Sequence, residues 1–279
     1  MSSDKLQESE KMEILNRELK RHKRDMPDDA KKECIANFNG LICFPQCCLF
    51  CAQNNDLFVK GPDFFKEPEK VFSENISRLE AHRFLSLAFL FCVGPILEKH
   101  LSPNVLPERE KDVLVELSYH LCISKKKAPV TILQESYDNF SGLYVKKFDS
   151  SINFSHYIVL EAVGFVLGEH TPEMVVKYCS FHYLNQRTYA AESKDKTSCH
   201  VFIPVSVYRY LAERIIDDTL DGQSMSSRSD IHSAIKQHEF LIELKDQLQK
   251  CDRIYDILCS KKSSLRYQNR AEGECETFL

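Results

Sequence analysis

Helical spacing of apolar residues dominates the start of the chain. Residues 6–24 place Leu15 and Leu19 one turn apart among dense charge, which predicts an exposed amphipathic helix. Residues 28–38 predict a second helix, because acidic residues open it and an Asn-Gly pair follows it. The first 38 residues therefore predict two consecutive helices.

The next sixty residues are more apolar and continue the helical pattern. Residues 41–53 predict a short buried helix with a proline in its first turn, and residues 54–68 are rich in turn-forming residues. Residues 69–97 predict one or two long helices, broken at His82 or at Gly94. The apolar run in this stretch is shorter than the roughly 20 residues that a bilayer requires, so we interpret it as a buried helix.

Between residues 107 and 170 the pattern changes to helix, helix, β-hairpin, helix. Two short segments, 143–148 and 151–155, are separated by the turn pair Asp149-Ser150, which predicts a hairpin. This order of elements is that of a winged-helix unit, and its recognition-type helix is predicted over residues 129–140. The predicted helices of this region span residues 108–122, 129–140 and 157–167.

The remaining residues predict a helical extension. Helices over 204–220 and 230–249 follow an extended pair near 199–202, and the tail from Lys261 is polar. The predicted fold is mainly α, with a helical lid domain, a winged helix with a small β-hairpin, and a C-terminal helical extension. The predicted boundaries are 1–66 for the lid segment, 67–106 for connecting helices, 107–170 for the winged helix, 171–250 for the extension and 251–279 for a partly disordered tail.

Composition and charge narrow the class of protein. The 279 residues are 43% hydrophobic and 28% charged, which is typical of a globular chain. A net charge of -4 provides no overall attraction to nucleic acid or to an acidic membrane. The first 24 residues lack the apolar core of a secretory signal, so we expect a cytoplasmic protein whose 12 cysteines are reduced thiols.

Motifs for enzyme chemistry are absent from the sequence. No glycine is followed by lysine, so the phosphate-binding Walker A loop is missing, as are the GxGxxG, GxSxG and HExxH motifs. Cys48 and Cys51 form a C-x-x-C pair, but Leu49 and Phe50 between them favour a buried position over a metal or redox site. We therefore expect neither catalysis nor a metal site.

The charges near the predicted recognition-type helix disfavour a nucleic-acid partner. Lys125, Lys126 and Lys127 precede this helix, where a DNA-binding winged helix carries positive charge. The helix itself contains Glu135 and Asp138 and no arginine that could read a base. We interpret the three lysines as a solvated loop.

Three motifs follow one another along the chain. The first is LICFPQCCLF from Leu41, leading to GPDFFKEP from Gly61; the second is FSHYIVLEAV from Phe154; the third is HVFIP from His200 with YLAERII from Tyr210. Together they resemble the C-terminal part of STAND-class signalling NTPases, which are NACHT-related switches, and most closely the type called novel STAND NTPase 3. In the second motif, the residues that match the winged-helix motif of this family are His156, Glu161 and Ala162.

The resemblance implies roles for two residues. Pro45 matches the proline that packs against adenine, and His156 matches the histidine that donates a hydrogen bond to the ADP phosphate. The sequence departs from the family where Cys43 replaces a glycine and Tyr157 replaces an aspartate, and it contains no P-loop domain. The resemblance thus implies no required cofactor, with residual binding of ADP or ATP as the remaining option.

From the residues alone, each of these two positions has a purely structural interpretation. Pro45 suits the first turn of a helix, and His156 suits a strand end where its ring bonds to a backbone carbonyl. The expected function, taken from the resemblance, is that of a non-catalytic regulatory or adaptor fragment in stress or innate-immune signalling. Its partner would be another protein chain, such as a full-length STAND relative, and not a membrane.

Two rival functions stay open at this stage. The first is nucleic-acid binding through the winged helix or through the C-terminal helices. The second is an enzyme of unlisted chemistry, which requires a nucleophile and a base brought together in a pocket.

Overall fold

The chain folds into two compact units. The computed structural model describes residues 6–38, 44–102, 105–123, 129–190, 200–220 and 233–251. The first unit holds the described residues up to Thr171, and the second holds those from Pro172 onward. Helices make up most of both units, which confirms the predicted mainly α fold.

Six helices open the first unit. Their core is a group of phenylalanines: the rings of Phe50 and Phe72 lie 5.1 Å apart, and those of Phe64 and Phe72 lie 5.8 Å apart. Such edge-to-face pairs stabilise a core beyond the area that they bury. The helices are α1 (Glu8–Arg21), α2 (Asp28–Asn37), α3 (Phe44–Gln53), α4 (Asn55–Lys60), α5 (Pro62–Lys66) and α6 (Pro68–Ser77).

Two of these helices lie in the stretch that the sequence marks as rich in turn-forming residues. The Asn54 side chain accepts a hydrogen bond from the backbone N–H of Leu57 and starts α4, and Pro62 occupies the first turn of α5. Both helices bury an apolar face, which includes Leu57 in α4 and Phe64 in α5. The prediction of turns over 54–68 was wrong because burial, and not helical length, stabilises these short helices.

A winged-helix unit completes the first unit. Its three-stranded antiparallel sheet has the order β1-β3-β2, with Ile96 opposite Ile152 and Val145 opposite Phe154. The hydroxyl of Tyr137, which is fully buried, donates a 2.8 Å hydrogen bond to the carbonyl of Ser86. This bond links the helix Pro129–Phe140 to the helix Ala81–Val93. The elements are α7 (Ala81–Val93), β1 (Ile96–Leu97), α8 (Glu108–His120), α9 (Pro129–Phe140), β2 (Val145–Phe148), β3 (Ser151–Phe154) and α10 (Tyr157–His170).

The start of this unit differs from the prediction. The helix predicted to run as far as residue 97 ends at Val93, where Gly94 adopts a φ of 79°. Ile96 and Leu97 then form a strand that pairs with β3. The sheet therefore gains a strand from the stretch that was assigned to helix.

The second unit is a small helical domain. Arg214 is its main polar link: its guanidinium donates to both carboxylate oxygens of Asp218, at 2.9 Å each, and to the carbonyls of Lys177 and Cys179. Strands β4 (Thr188–Tyr189) and β5 (Val201–Phe202) pair in parallel. The helices are α11 (Pro172–Tyr178), α12 (Phe181–Arg187), α13 (Tyr208–Leu220) and α14 (His238–Lys250).

The last predicted helix starts later than expected. A single 3-10 turn precedes it, and α14 begins at His238 instead of residue 230. Residues 230–232, the polar tail, Cys43 and Lys125 to Lys127 lie outside the described residues.

Candidate functional site

His156 lies between the last strand of the winged helix and α10. Its backbone is extended, and its Nδ1 atom accepts a 3.3 Å hydrogen bond from the backbone N–H of Ile158, so the imidazole acts as the N-cap of α10. A nitrogen that accepts a hydrogen bond carries no proton, so the proton of the neutral ring sits on Nε2. The structural interpretation expected the ring to bond to a backbone carbonyl. The ring instead accepts a hydrogen bond from a backbone N–H.

The surroundings of His156 keep its ring neutral. Burial lowers the pKa of His156, and the positive charge of Lys146 lowers it further. The ring of Phe50 lies edge-on to the imidazole with the centroids 6.1 Å apart, and the ring of Tyr157 lies 4.6 Å away. In the described part of the chain, His156 makes a single hydrogen bond, through Nδ1. The Nε2–H group therefore remains a donor for a bound group.

Pro45 and His156 are on different elements, and the contact to His156 comes from Phe50. Pro45 lies half-buried in the first turn of α3, as the proline signal predicts. Phe50 is five residues further along, which corresponds to about 7.5 Å of rise and roughly 140° of rotation in an α-helix. Pro45 therefore leaves α3 in a different direction from Phe50. Its predicted adenine contact stays a prediction.

The junction of α3 and α4 is held by Arg24. The guanidinium of Arg24 donates to the carbonyl of Ala52 at 3.3 Å and to the side-chain oxygen of Asn55 at 3.1 Å. Burial raises the pKa of Tyr144 to about 12, and the carboxylate of Asp56 adds to this rise. The carboxylate at the start of α4 thus acts with burial to keep the Tyr144 hydroxyl protonated.

The exposed face of α9 is acidic. Glu135 and Asp138 are exposed on it, and Asp138 accepts a 2.8 Å hydrogen bond from Lys147 of β2. Lys147 also pairs with Glu98 at 3.0 Å, so its charge is already balanced within the unit. A helix face with two carboxylates repels DNA phosphates. The exposed face of α9 thus carries Glu135 and Asp138 at the place where a DNA-binding winged helix carries positive charge.

The C-x-x-C pair is part of the core. Cys48 and Cys51 of α3 are fully buried, and so is Cys34 of α2. Burial raises the pKa of Cys51 and of Cys34 to about 12, and it raises the pKa of Cys48 as well. The predicted buried position of the pair is confirmed, and thiols held in the protonated form are weak nucleophiles and weak metal ligands.

Sequence reasoning did not identify Phe50 as a site residue. It stands inside a run of apolar residues and cysteines, and its pattern is that of any core position. What distinguishes it is the contact with His156, which lies more than a hundred positions away along the chain.

Comparisons with protein-family models, with curated proteins and with solved structures find no match to this chain. Among the described residues, every helix is too short or too polar to span a lipid bilayer.

Proposed function

We propose that this chain is a non-catalytic regulatory or adaptor module that resembles the C-terminal half of a STAND switch and acts by binding a protein partner. The observation that carries the proposal is the arrangement at His156. Its Nδ1 atom caps α10 of the winged helix, its ring contacts Phe50 of α3, and its Nε2–H group is left to donate.

This arrangement would allow a ligand bound at His156 to affect both α10 and α3. An anion that accepts the Nε2 hydrogen bond touches a residue that caps α10 and packs against Phe50 of α3. Movement of the ring would loosen the N-cap of α10 and shift the contact with Phe50. A ligand that favours one ring position therefore shifts the balance between two arrangements of these helices.

The role proposed for a nucleotide is binding without hydrolysis. Phosphoryl transfer relies on backbone N–H groups and a lysine that wrap the phosphates, and the sequence has no such loop. A single imidazole donor supplies one hydrogen bond to a phosphate oxygen and does not activate water. The missing catalytic parts would belong to a partner chain, such as a full-length STAND relative in cytoplasmic signalling.

The test is nucleotide binding by the full-length chain and by two His156 variants. A ligand that binds only the folded state raises the thermal midpoint, so ADP or ATP with Mg²⁺ should raise it for the unaltered chain. His156→Asn retains an N-cap acceptor but replaces the ring, and His156→Ala removes both. Both variants should lose the ADP-dependent rise.

The control is His82→Ala, because His82 is exposed and its ring already pairs with Glu80 at 3.3 Å. This variant should respond to ADP as the unaltered chain does. An absent rise in the unaltered chain would remove the nucleotide role. An undiminished rise in both His156 variants would show that ADP binds without His156 and would remove this residue from the proposed site. Salt-dependent binding of duplex DNA would favour the rival winged-helix function instead.

A further inference from the structure

A pocket of about 350 Å³ opens on the first unit, and neither His156, Phe50 nor Pro45 lines it. Its volume falls within the range of roughly 300–1,000 Å³ that is usual for small-molecule sites. Phe84, Val166 and Ile76 provide an apolar wall, and His120 and His170 add two imidazoles. None of the ten described residues that line it is Lys, Arg, Asp or Glu.

Three helices end at this pocket. Ser77, His120 and His170 are the last residues of α6, α8 and α10, and all three line it. The C-terminal end of an α-helix carries a partial negative charge of about half an elementary charge. Capping N–H groups bind some of the last carbonyls here, such as those of Leu117 and Leu167, so the attraction for a cation comes from this partial charge. Three such ends around one cavity favour a positively charged ligand.

The start of one helix also lies at this pocket and carries a partial positive charge. Ala81, the first residue of α7, also lines the pocket, and a helix N-terminus favours anions. The residue before it is Glu80, whose carboxylate offsets the partial positive charge of that terminus. Three C-terminal ends against one N-terminal end leave a surplus of two negative helix ends, without counting the carboxylate of Glu80.

We propose that this pocket binds a small organic cation with an apolar body, such as an alkylammonium or arylammonium ion. The apolar body contacts Phe84 and Val166, and the ammonium group lies near the negative helix ends and donates to an acceptor nitrogen of His120 or His170. Each helix end favours a cation by roughly two- to fivefold. A net surplus of two ends gives a preference of roughly three- to thirtyfold over a neutral analogue of the same shape.

The experiment compares three probes that share a benzyl or phenyl body and differ in charge: benzylammonium, benzyl alcohol and benzoate. Binding to the full-length chain is measured by calorimetry or, for weak binding, by ligand-observed NMR. Benzylammonium should bind saturably, roughly three- to thirtyfold more tightly than benzyl alcohol, and benzoate should bind most weakly.

Two variants locate the binding. Ala81→Leu and Ser77→Leu fill the pocket from exposed positions, so the fold should tolerate them, and each should weaken benzylammonium binding by roughly tenfold. Gln134→Leu places the same side chain on the exposed face of α9 as a control and should change nothing. Equal binding of the amine and the alcohol, unchanged binding by both leucine variants, or no saturable binding would each overturn the proposal.

Discussion

Replacing the imidazole that caps α10 should destabilise the first unit in a graded way. His156→Ala removes the acceptor for the Ile158 N–H and the ring contacts with Phe50 and Tyr157. His156→Asn restores an acceptor of the type preferred at helix N-caps but not the ring. The two variants thus separate the contribution of the cap from that of the packing.

The magnitude follows from these contacts. Loss of an N-cap side chain costs about 0.5–2 kcal/mol, and the 3.3 Å hydrogen bond of His156 suggests the lower half of that range. Each ring pair adds about 0.5–1.5 kcal/mol, and the more distant contact with Phe50 should contribute least. His156→Ala should therefore lose about 1.5–3 kcal/mol of unfolding free energy, and His156→Asn should recover about 0.5–1 kcal/mol of it.

Urea unfolding followed by circular dichroism measures the overall loss, and amide hydrogen exchange locates it. The amide of Ile158 should exchange faster in His156→Ala than in His156→Asn, because only the asparagine keeps an acceptor for it. Equal exchange rates in the two variants would refute the assignment of the cap to Nδ1. Unchanged stability in both variants would refute the packing of Phe50 on the ring as well.

Three further predictions concern pH and buried polar links. Burial lowers the pKa of His156 in the folded chain, so near this pKa the unfolded chain binds more protons than the folded chain. The contribution of His156 to the free energy of unfolding should therefore be constant at high pH and should decline as the pH falls below about 6.5. Unfolding measured as a function of pH should lack this decline in His156→Asn. Arg214→Ala leaves the buried carboxylate of Asp218 unpaired and should cost roughly 2–4 kcal/mol in thermal unfolding, with partial recovery in the double variant with Asp218→Ala. Tyr137→Phe loses one buried hydrogen bond and should cost about 1 kcal/mol in urea unfolding, whereas Tyr119→Phe at an exposed position should cost nothing measurable.

The winged-helix hairpin shows what local sequence can predict. Asp149 and Ser150 both adopt positive φ, at 46° and 63°, as a two-residue turn between antiparallel strands requires. Short polar residues at those two positions and apolar residues on either side were sufficient to predict the turn. The prediction of strands over 143–148 and 151–155 is confirmed to within two residues at each end.

Strand β1 shows where local sequence fails. Ile96 and Leu97 end a long apolar run, and two residues are too few to show strand alternation. They form a strand because Ile152 and Ser151 of β3 present unpaired backbone groups opposite them. That pairing joins residues more than fifty positions apart, so no local window of the sequence contains it.

The candidate site also has one residue that the sequence indicates and one that it does not. The sequence shows a histidine before an apolar helix. It does not show that this histidine caps the helix, because imidazole is not among the preferred N-cap groups. Phe50 is equally hidden, because its partner ring belongs to a distant segment. The sequence indicated one residue of the site, and the tertiary contacts supplied the other.

The acidic face of α9 bears most directly on the choice between the two candidate functions. A winged helix that binds DNA needs positive charge on the helix that enters the groove, since phosphate contacts supply most of the affinity. Here the exposed carboxylates of Glu135 and Asp138 occupy that helix, and the nearby Lys147 is already paired with Asp138 and Glu98. The carboxylates of α9 therefore disfavour duplex binding through this helix, and the adaptor role depends on the binding experiments with the His156 variants.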